Sequence, residues 1–250
     1  MAAINRRLRI CARIGSFAAR EFLDYRRFIS NPSFSVNRVQ TPKKRLVRAI
    51  FFALALSIIE APIILLLNAF QEACGLREVS PVGGNLFYAI AMLIFVGPLF
   101  EELVFRAGLR HFSWSLVVVP LVTIISLLHS ISDLVIFFIT AISLATIALV
   151  LWAGAGSKST SSIPAALILN CRGCFIMNCC MFAIVHVRTY EFTGWQALAA
   201  ILLTVPHFLS ASVFGFLRIR YGISSGIVAH GMMNAVALGA YVVSQAANYS

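Results

Sequence analysis

Charge is what this 250-residue chain has least of. Asp, Glu, Lys and Arg make up 12% of it, and only 9 residues are acidic, where a soluble domain carries about 25% charge. Hydrophobic residues reach 60% and mean hydropathy is +0.90. A soluble fold must cover one interior with polar side chains, and these are too few, so a bilayer must serve as the outer solvent. The same shortage excludes disorder. With 6 Cys, the chain is no secreted disulfide scaffold. It lacks the alternating strands of a closed barrel, any internal repeat, any second domain and any His-Glu-x-x-His zinc motif.

The net charge of +11 is unevenly spread. Residues 1–48 hold 12 Lys/Arg against Glu21 and Asp24, whereas residues 49–250 hold 8 against 7 acids. A basic stretch just before the first apolar span predicts a cytoplasmic N-terminus and anionic lipid headgroups, rather than nucleic acid, as its partner. Ile4, Leu8, Ile14, Phe17, Phe22, Phe28 and Ile29 recur roughly at helical spacing among the arginines, which predicts an interfacial amphipathic helix. A cleaved signal peptide is not expected, because the apolar region comes late and no small-residue cleavage site follows the basic region.

A bilayer core of about 30 Å needs about 20 apolar residues per helix. Spans are predicted at 49–70 (around Glu60-Ala61-Pro62), 86–105, 114–130, 134–153, 164–187, 195–217 and 222–245, with polar loops at 71–85 and 154–162. The expectation is an all-α, multi-pass transmembrane helix bundle of about seven spans (six to eight). A basic tail, 1–48, precedes a single transmembrane domain, 49–250. If all seven cross, Arg106, Arg110, Lys158, Arg218 and Arg220 face inside and Arg77 and Arg188 outside, in agreement with the tail.

An ionisable group at mid-membrane costs about 2.5–3.5 kcal/mol on insertion scales, so each one calls for a reason. Glu101 and Glu102 adjoin in the second span, His186 lies near the end of the fifth, and His230 and Asn234 lie in the seventh. At about 100° per residue, Glu102 and Arg106 share a face, about 40° apart, while Glu101 points elsewhere. His230 and Asn234 are one turn apart, as are Phe182 and His186. Three helices could converge a carboxylate, two imidazoles and a carboxamide, enough to activate a water and stabilise an oxyanion. Any one intramembrane His, or a lone Glu-x-x-x-Arg, is more often a structural partner. The double glutamate is harder to explain so, since one Arg neutralises only one.

Glu101-Glu102-x-x-x-Arg106, Phe182-Ala183-Ile184-Val185-His186 and His230-x-x-x-Asn234, in that order, resemble the three-motif signature of the CAAX-protease and bacteriocin-processing (CPBP, or Abi) intramembrane protease family. The run from Gly215 to Ile223 leading into Ala229-His230 resembles that family's approach to its third motif. The resemblance covers about 86–240. One departure is the gap of 85 residues from Glu101 to His186, where the family usually has roughly thirty to forty, as if a hairpin were inserted within 107–175. His129 sits at the usual distance but lacks the Phe, so His186 is preferred.

The resemblance implies an intramembrane endopeptidase of CAAX-prenyl-protease type, acting on a membrane-associated or prenylated protein or peptide in a bacterial plasma membrane. Glu101 would be the general base and His186 would hold water or polarise the carbonyl. His230 and Asn234 would bind the oxyanion, and Glu102 with Arg106 would form an orienting pair. No cofactor is favoured. Zinc on Glu101, His186 and His230 is the alternative, since this is a zinc-ligand set with one open position. Rival functions are a proton- or ion-coupled transporter using Glu60, Glu101, Glu102 and Asp133, and a non-catalytic immunity or scaffold relative. Cys171, Cys174, Cys179 and Cys180 read as small apolar residues rather than a redox or zinc site, and Cys11 as a candidate for palmitoylation.

Overall fold

The computed structural model describes residues 2–32, 41–78, 86–106 and 171–248. The predicted spans at 114–130 and 134–153, the loop at 154–162, His129 and Asp133 lie outside them.

The described chain is mostly helical: α1 (Ala2–Ser30), α2 (Pro42–Ala73), β1 (Arg77–Glu78), α3 (Leu86–Ile90), α4 (Gly97–Glu101), α5 (Cys171–Val185), β2 (Tyr190–Glu191), α6 (Gln196–Leu203), α7 (Val205–Tyr221) and α8 (Ile223–Asn248). Among the described residues, four helical stretches are long and apolar enough to cross a membrane: Pro42–Ala73, Phe87–Arg106, Gln196–Tyr221 and Ile223–Ser244. They correspond to the first, second, sixth and seventh predicted spans. Of the fifth, the described part is the apolar helix α5, continued by a 3-10 turn over His186–Thr189.

Several large apolar side chains stay open, among them Ile58 at 74%, Leu65 at 71% and Phe87 at 80%. In water each would forgo about 1.5–3 kcal/mol of burial, so these faces suit lipid. The main core gathers Phe52, Phe105, Phe175, Phe182, Phe214, Phe216 and Leu217 where α7 packs against α2, α5 and α8.

The second span is not a plain α-helix. Ala91–Val96 and Glu102–Arg106 are π-helical, separated by the short α4. Such widened turns leave carbonyls unmatched within the helix, and neighbouring helices supply donors. Asn234 Nδ2 donates to Leu93 O at 2.7 Å, Asn178 Nδ2 to Phe105 O at 2.7 Å and Arg218 Nε to Arg106 O at 3.1 Å. Glycines let α8 come this close. A Cβ on Gly231 would stand 2.6 Å from Ile94 O, and one on Gly226 would stand 2.7 Å from Glu102 Oε2.

The basic N-terminal segment is more than a surface tail. Its C-terminal half docks on the bundle through Phe17, Glu21, Tyr25 and Phe28, a stripe at helical spacing. Phe28 is fully buried against Phe175 and Phe216, and Tyr25 hydrogen-bonds Ser212 at 2.6 Å. α2 begins at Pro42, so the boundary drawn at 48 falls inside a helix.

At the other end of α2, Gly75 adopts φ +66°, and Leu76 N–H returns to Gln71 O at 3.1 Å. A left-handed residue at this point favours glycine. β1 then pairs antiparallel with β2, Glu78 opposite Tyr190. This two-residue ladder ties the exit of α2 to the segment just after His186. Burial pushes the Tyr190 hydroxyl up to about 12, helped by the charge of Glu78.

Candidate functional site

Glu101 closes α4 and is half-buried, with Oε2 itself buried and lacking a hydrogen-bond partner among the described residues. That oxygen lies 3.8 Å from His186 Nε2 and 3.7 Å from His230 Nε2. Helices far apart in sequence thus bring one carboxylate and two imidazoles together.

Each ring is held by its other nitrogen. His186 Nδ1 lies 2.8 Å from Phe182 O, one turn back. A carbonyl only accepts, so Nδ1 carries the proton. His230 Nδ1 lies 3.2 Å from Glu102 Oε1 and donates to it in the same way. In the neutral rings both Nε2 atoms therefore present lone pairs toward Glu101. Three acceptors face one another, and the gap calls for something that donates: a water or a cation.

Glu102 and Arg106 are both fully buried and form an ion pair one turn apart. The same Glu102 oxygen accepts from His230, so the carboxylate links the guanidinium to the imidazole. Arg106 is stacked between rings, its guanidinium carbon 4.3 Å from the Phe182 centroid and 5.3 Å from that of Phe214. Phe214 also stacks on His230 at 4.7 Å and 20°. The Phe182 that marks the second motif thus faces Arg106, His186 and His230 at once. Asn234, a turn beyond His230, spends one amide proton on Leu93 O and keeps a second.

His207 escaped the sequence reading. It lies in α7 beside Pro206 and stacks on His186 with ring centroids 4.1 Å apart and planes 29° apart. Its Nδ1 is buried with no partner among the described residues. The rule that flagged His186, an ionisable group in an apolar span, applies equally to it. Asn178 was missed as well, and no motif announces it. Glu60, which the transporter reading would use, is buried with Ser210 donating to it at 2.7 Å. Cys179 is buried in the apolar core.

The donor types suit zinc, but the spacing is loose. Tetrahedral ligands at about 2.0–2.2 Å from one ion stand about 3.4 Å apart, against 3.7 and 3.8 Å from Glu101 Oε2 to the two rings. Among the described residues no group of three or more His, Cys, Asp or Glu is arranged to hold an ion. As placed, Glu101 Oε2 stands slightly farther from both rings than ligands of one zinc ion would.

No family model, curated protein or solved structure matches the chain.

Proposed function

We propose that the chain is an intramembrane endopeptidase of CAAX-prenyl-protease type, with Glu101 as the base that activates water. The observation that carries the reading is the approach of Glu101 Oε2 to the Nε2 atoms of two rings, each anchored through Nδ1. A water between them would donate one hydrogen to Glu101 and the other to an imidazole. Glu101 takes the first proton as the water oxygen attacks the peptide carbonyl. It returns that proton to the leaving amine as the C–N bond breaks. Positioned proton transfer of this kind supplies about 10²–10⁴-fold.

The oxyanion needs donors, and a neutral His230 offers none, because its one proton already goes to Glu102. His230 would serve there while its Nε2 shares the proton that Glu101 has taken from water, before that proton passes to the leaving amine, together with the spare N–H of Asn234. Glu102 and Arg106 set the ring of His230 without touching substrate.

The finer topology belongs to the same reading: about seven crossings, the N-terminus on the cytoplasmic side, a bacterial plasma membrane, and a membrane-associated or prenylated substrate. The test is cleavage of prenylated CaaX peptides and unmodified membrane peptides by the purified chain, with and without an equilibrated chelator. Chelator-resistant cleavage is expected. Stoichiometric zinc, with activity lost on its removal and regained on its return, would replace the metal-free mechanism with a zinc one.

One observation favours a second reading, proton-coupled transport. Ser210, the partner of buried Glu60, lies three residues after His207, whose ring stacks on His186. A proton flux that needs Glu60 in a chain cleaving none of these peptides would favour it.

A further inference from the structure

Where the end of α1 meets the end of α7, a cleft of about 520 Å³ opens, lined by Leu23, Arg26, Arg27, Ser30, Asn31 and Arg220. Three guanidiniums surround it, and Asp24, 3.9 Å from Arg220, is the acid beside them. Arg26 and Arg27 are exposed, and neither side chain forms an ion pair among the described residues.

Arginines in a last helical turn often do no more than offset the helix dipole. That accounts for Arg27 in α1 and Arg220 in α7, each in the last turn of its helix, but not for Arg26 or for the meeting of all three at one cleft. Nor are the arginines needed to cap the final carbonyls. Asn31 N–H already meets Arg27 O and the Ser30 hydroxyl meets Arg26 O, each at 3.0 Å.

The cleft is also pre-formed. Glu21, buried, accepts from Arg48 at 2.8 Å and from the Tyr221 hydroxyl at 2.9 Å, which pins α1 to α2 and to the end of α7. Phe28 anchors the same turn in the core, and the Arg220 guanidinium carbon lies 5.5 Å from its ring centroid. A site whose walls are fixed beforehand loses little entropy on binding.

We propose that this cleft binds the phosphate of an anionic phospholipid. The guanidinium fork matches phosphate oxygens, and the Asn31 amide, which also lines the cleft, adds a neutral donor. The volume lies within the roughly 300–1,000 Å³ usual for ligand sites. Leu23 lines the cleft and, like its neighbour Phe22, is about half exposed. Such an apolar strip beside the phosphate seat favours a molecule with acyl chains over a free phosphate.

The test is native mass spectrometry of the full chain in mild detergent, titrated separately with phosphatidylglycerol, phosphatidylcholine and sn-glycerol 3-phosphate. Arg26→Gln/Arg27→Gln is compared with Arg13→Gln/Arg20→Gln, which removes the same charge from the same helix outside the cleft. Thermal unfolding confirms that both variants fold. One phosphatidylglycerol should be retained in preference to phosphatidylcholine. The cleft variant should weaken its retention about tenfold or more, the control variant much less, and Arg26→Lys/Arg27→Lys should restore part of it. Equal loss in both glutamine variants would reduce the effect to general attraction between a basic helix and anionic lipid and would overturn the site. Equal retention of phosphatidylcholine would overturn it too. Glycerol phosphate binding as tightly as the lipid would reassign the site to soluble phosphates.

Discussion

The helix Pro42–Ala73 and the stretch Gln196–Tyr221 both pass as membrane spans, yet they do opposite jobs. The first has the higher mean hydropathy, 2.6 against 1.9, and the smaller buried share, 22% against 61%. In a soluble protein that order would be reversed. Here the more apolar of the two is left open on the side suited to lipid, and the helix that carries Ser210, Ser212 and His207 is the more buried. A polar group costs less inside the bundle, where it finds a partner, than on the lipid face. The site follows that logic residue by residue rather than helix by helix: Glu102, Arg106 and His230 are buried although the spans that carry them are only 17% and 28% buried, and α2 likewise turns Glu60 inward.

Substitutions that strand an inner polar group should therefore have the largest effect. Glu102→Gln leaves the guanidinium of Arg106 buried without its counter-charge and should cost about 3–5 kcal/mol, read as thermal inactivation in detergent. A smaller loss, about 1–3 kcal/mol, is expected for Gly231→Ala, because the new methyl meets the backbone of Ile94 rather than a side chain that can swing away. Gly239, with nothing within 4 Å of an added Cβ, is the matched control on the same helix. On the lipid side Leu65→Ala should change stability by less than about 0.5 kcal/mol. A loss near that of Glu102→Gln would mean that α2 has a packed partner.

The smallest effect is expected at the β1–β2 ladder. Partial desolvation raises the carboxyl of Glu78, an exposed residue, above its ordinary 4.5, so ionisation there works only weakly against the fold. The penalty is absent below about pH 4.5, where the carboxyl is protonated in both states, and grows as pH rises through that value. Glu78→Gln should thus slow local opening of the ladder slightly at pH 7 and leave it unchanged at pH 4, measured by amide hydrogen exchange.

The helices were legible because long apolar runs need no partner to be recognised. Their irregularities were not. The π-helical turns at Ala91–Val96 and Glu102–Arg106 depend on donors from Asn234, Asn178 and Arg218, which no local pattern reveals. A two-residue ladder such as Arg77–Glu78 with Tyr190–Glu191 is too short to show a period. The stripe read in α1 included Phe17 and Phe28, which do pack, but also Ile14 and Phe22, which stay exposed. Hydrophobicity alone cannot tell a face that meets lipid from one that meets protein, and the polar anchors Glu21 and Tyr25 made that difference. Within the site, helix geometry paired Glu102 with Arg106 and turned Glu101 elsewhere; it did not reveal that Glu102 also reaches His230 Nδ1, while Glu101 lies near the Nε2 atoms of both rings. His207 was equally visible as a residue type and was passed over because it belongs to no motif.

The proposed chemistry rests on Glu101 more than on any other residue. The most direct test is single-turnover cleavage of a membrane peptide by the wild type and by Glu101→Gln, at equal protein and with matched thermal stability. The amide keeps the shape of the carboxylate but cannot take a proton. Loss of about 10²–10⁴ in rate with unchanged peptide affinity is the expected result. Cleavage by Glu101→Gln at the wild-type rate would contradict the account, whatever its effect on binding.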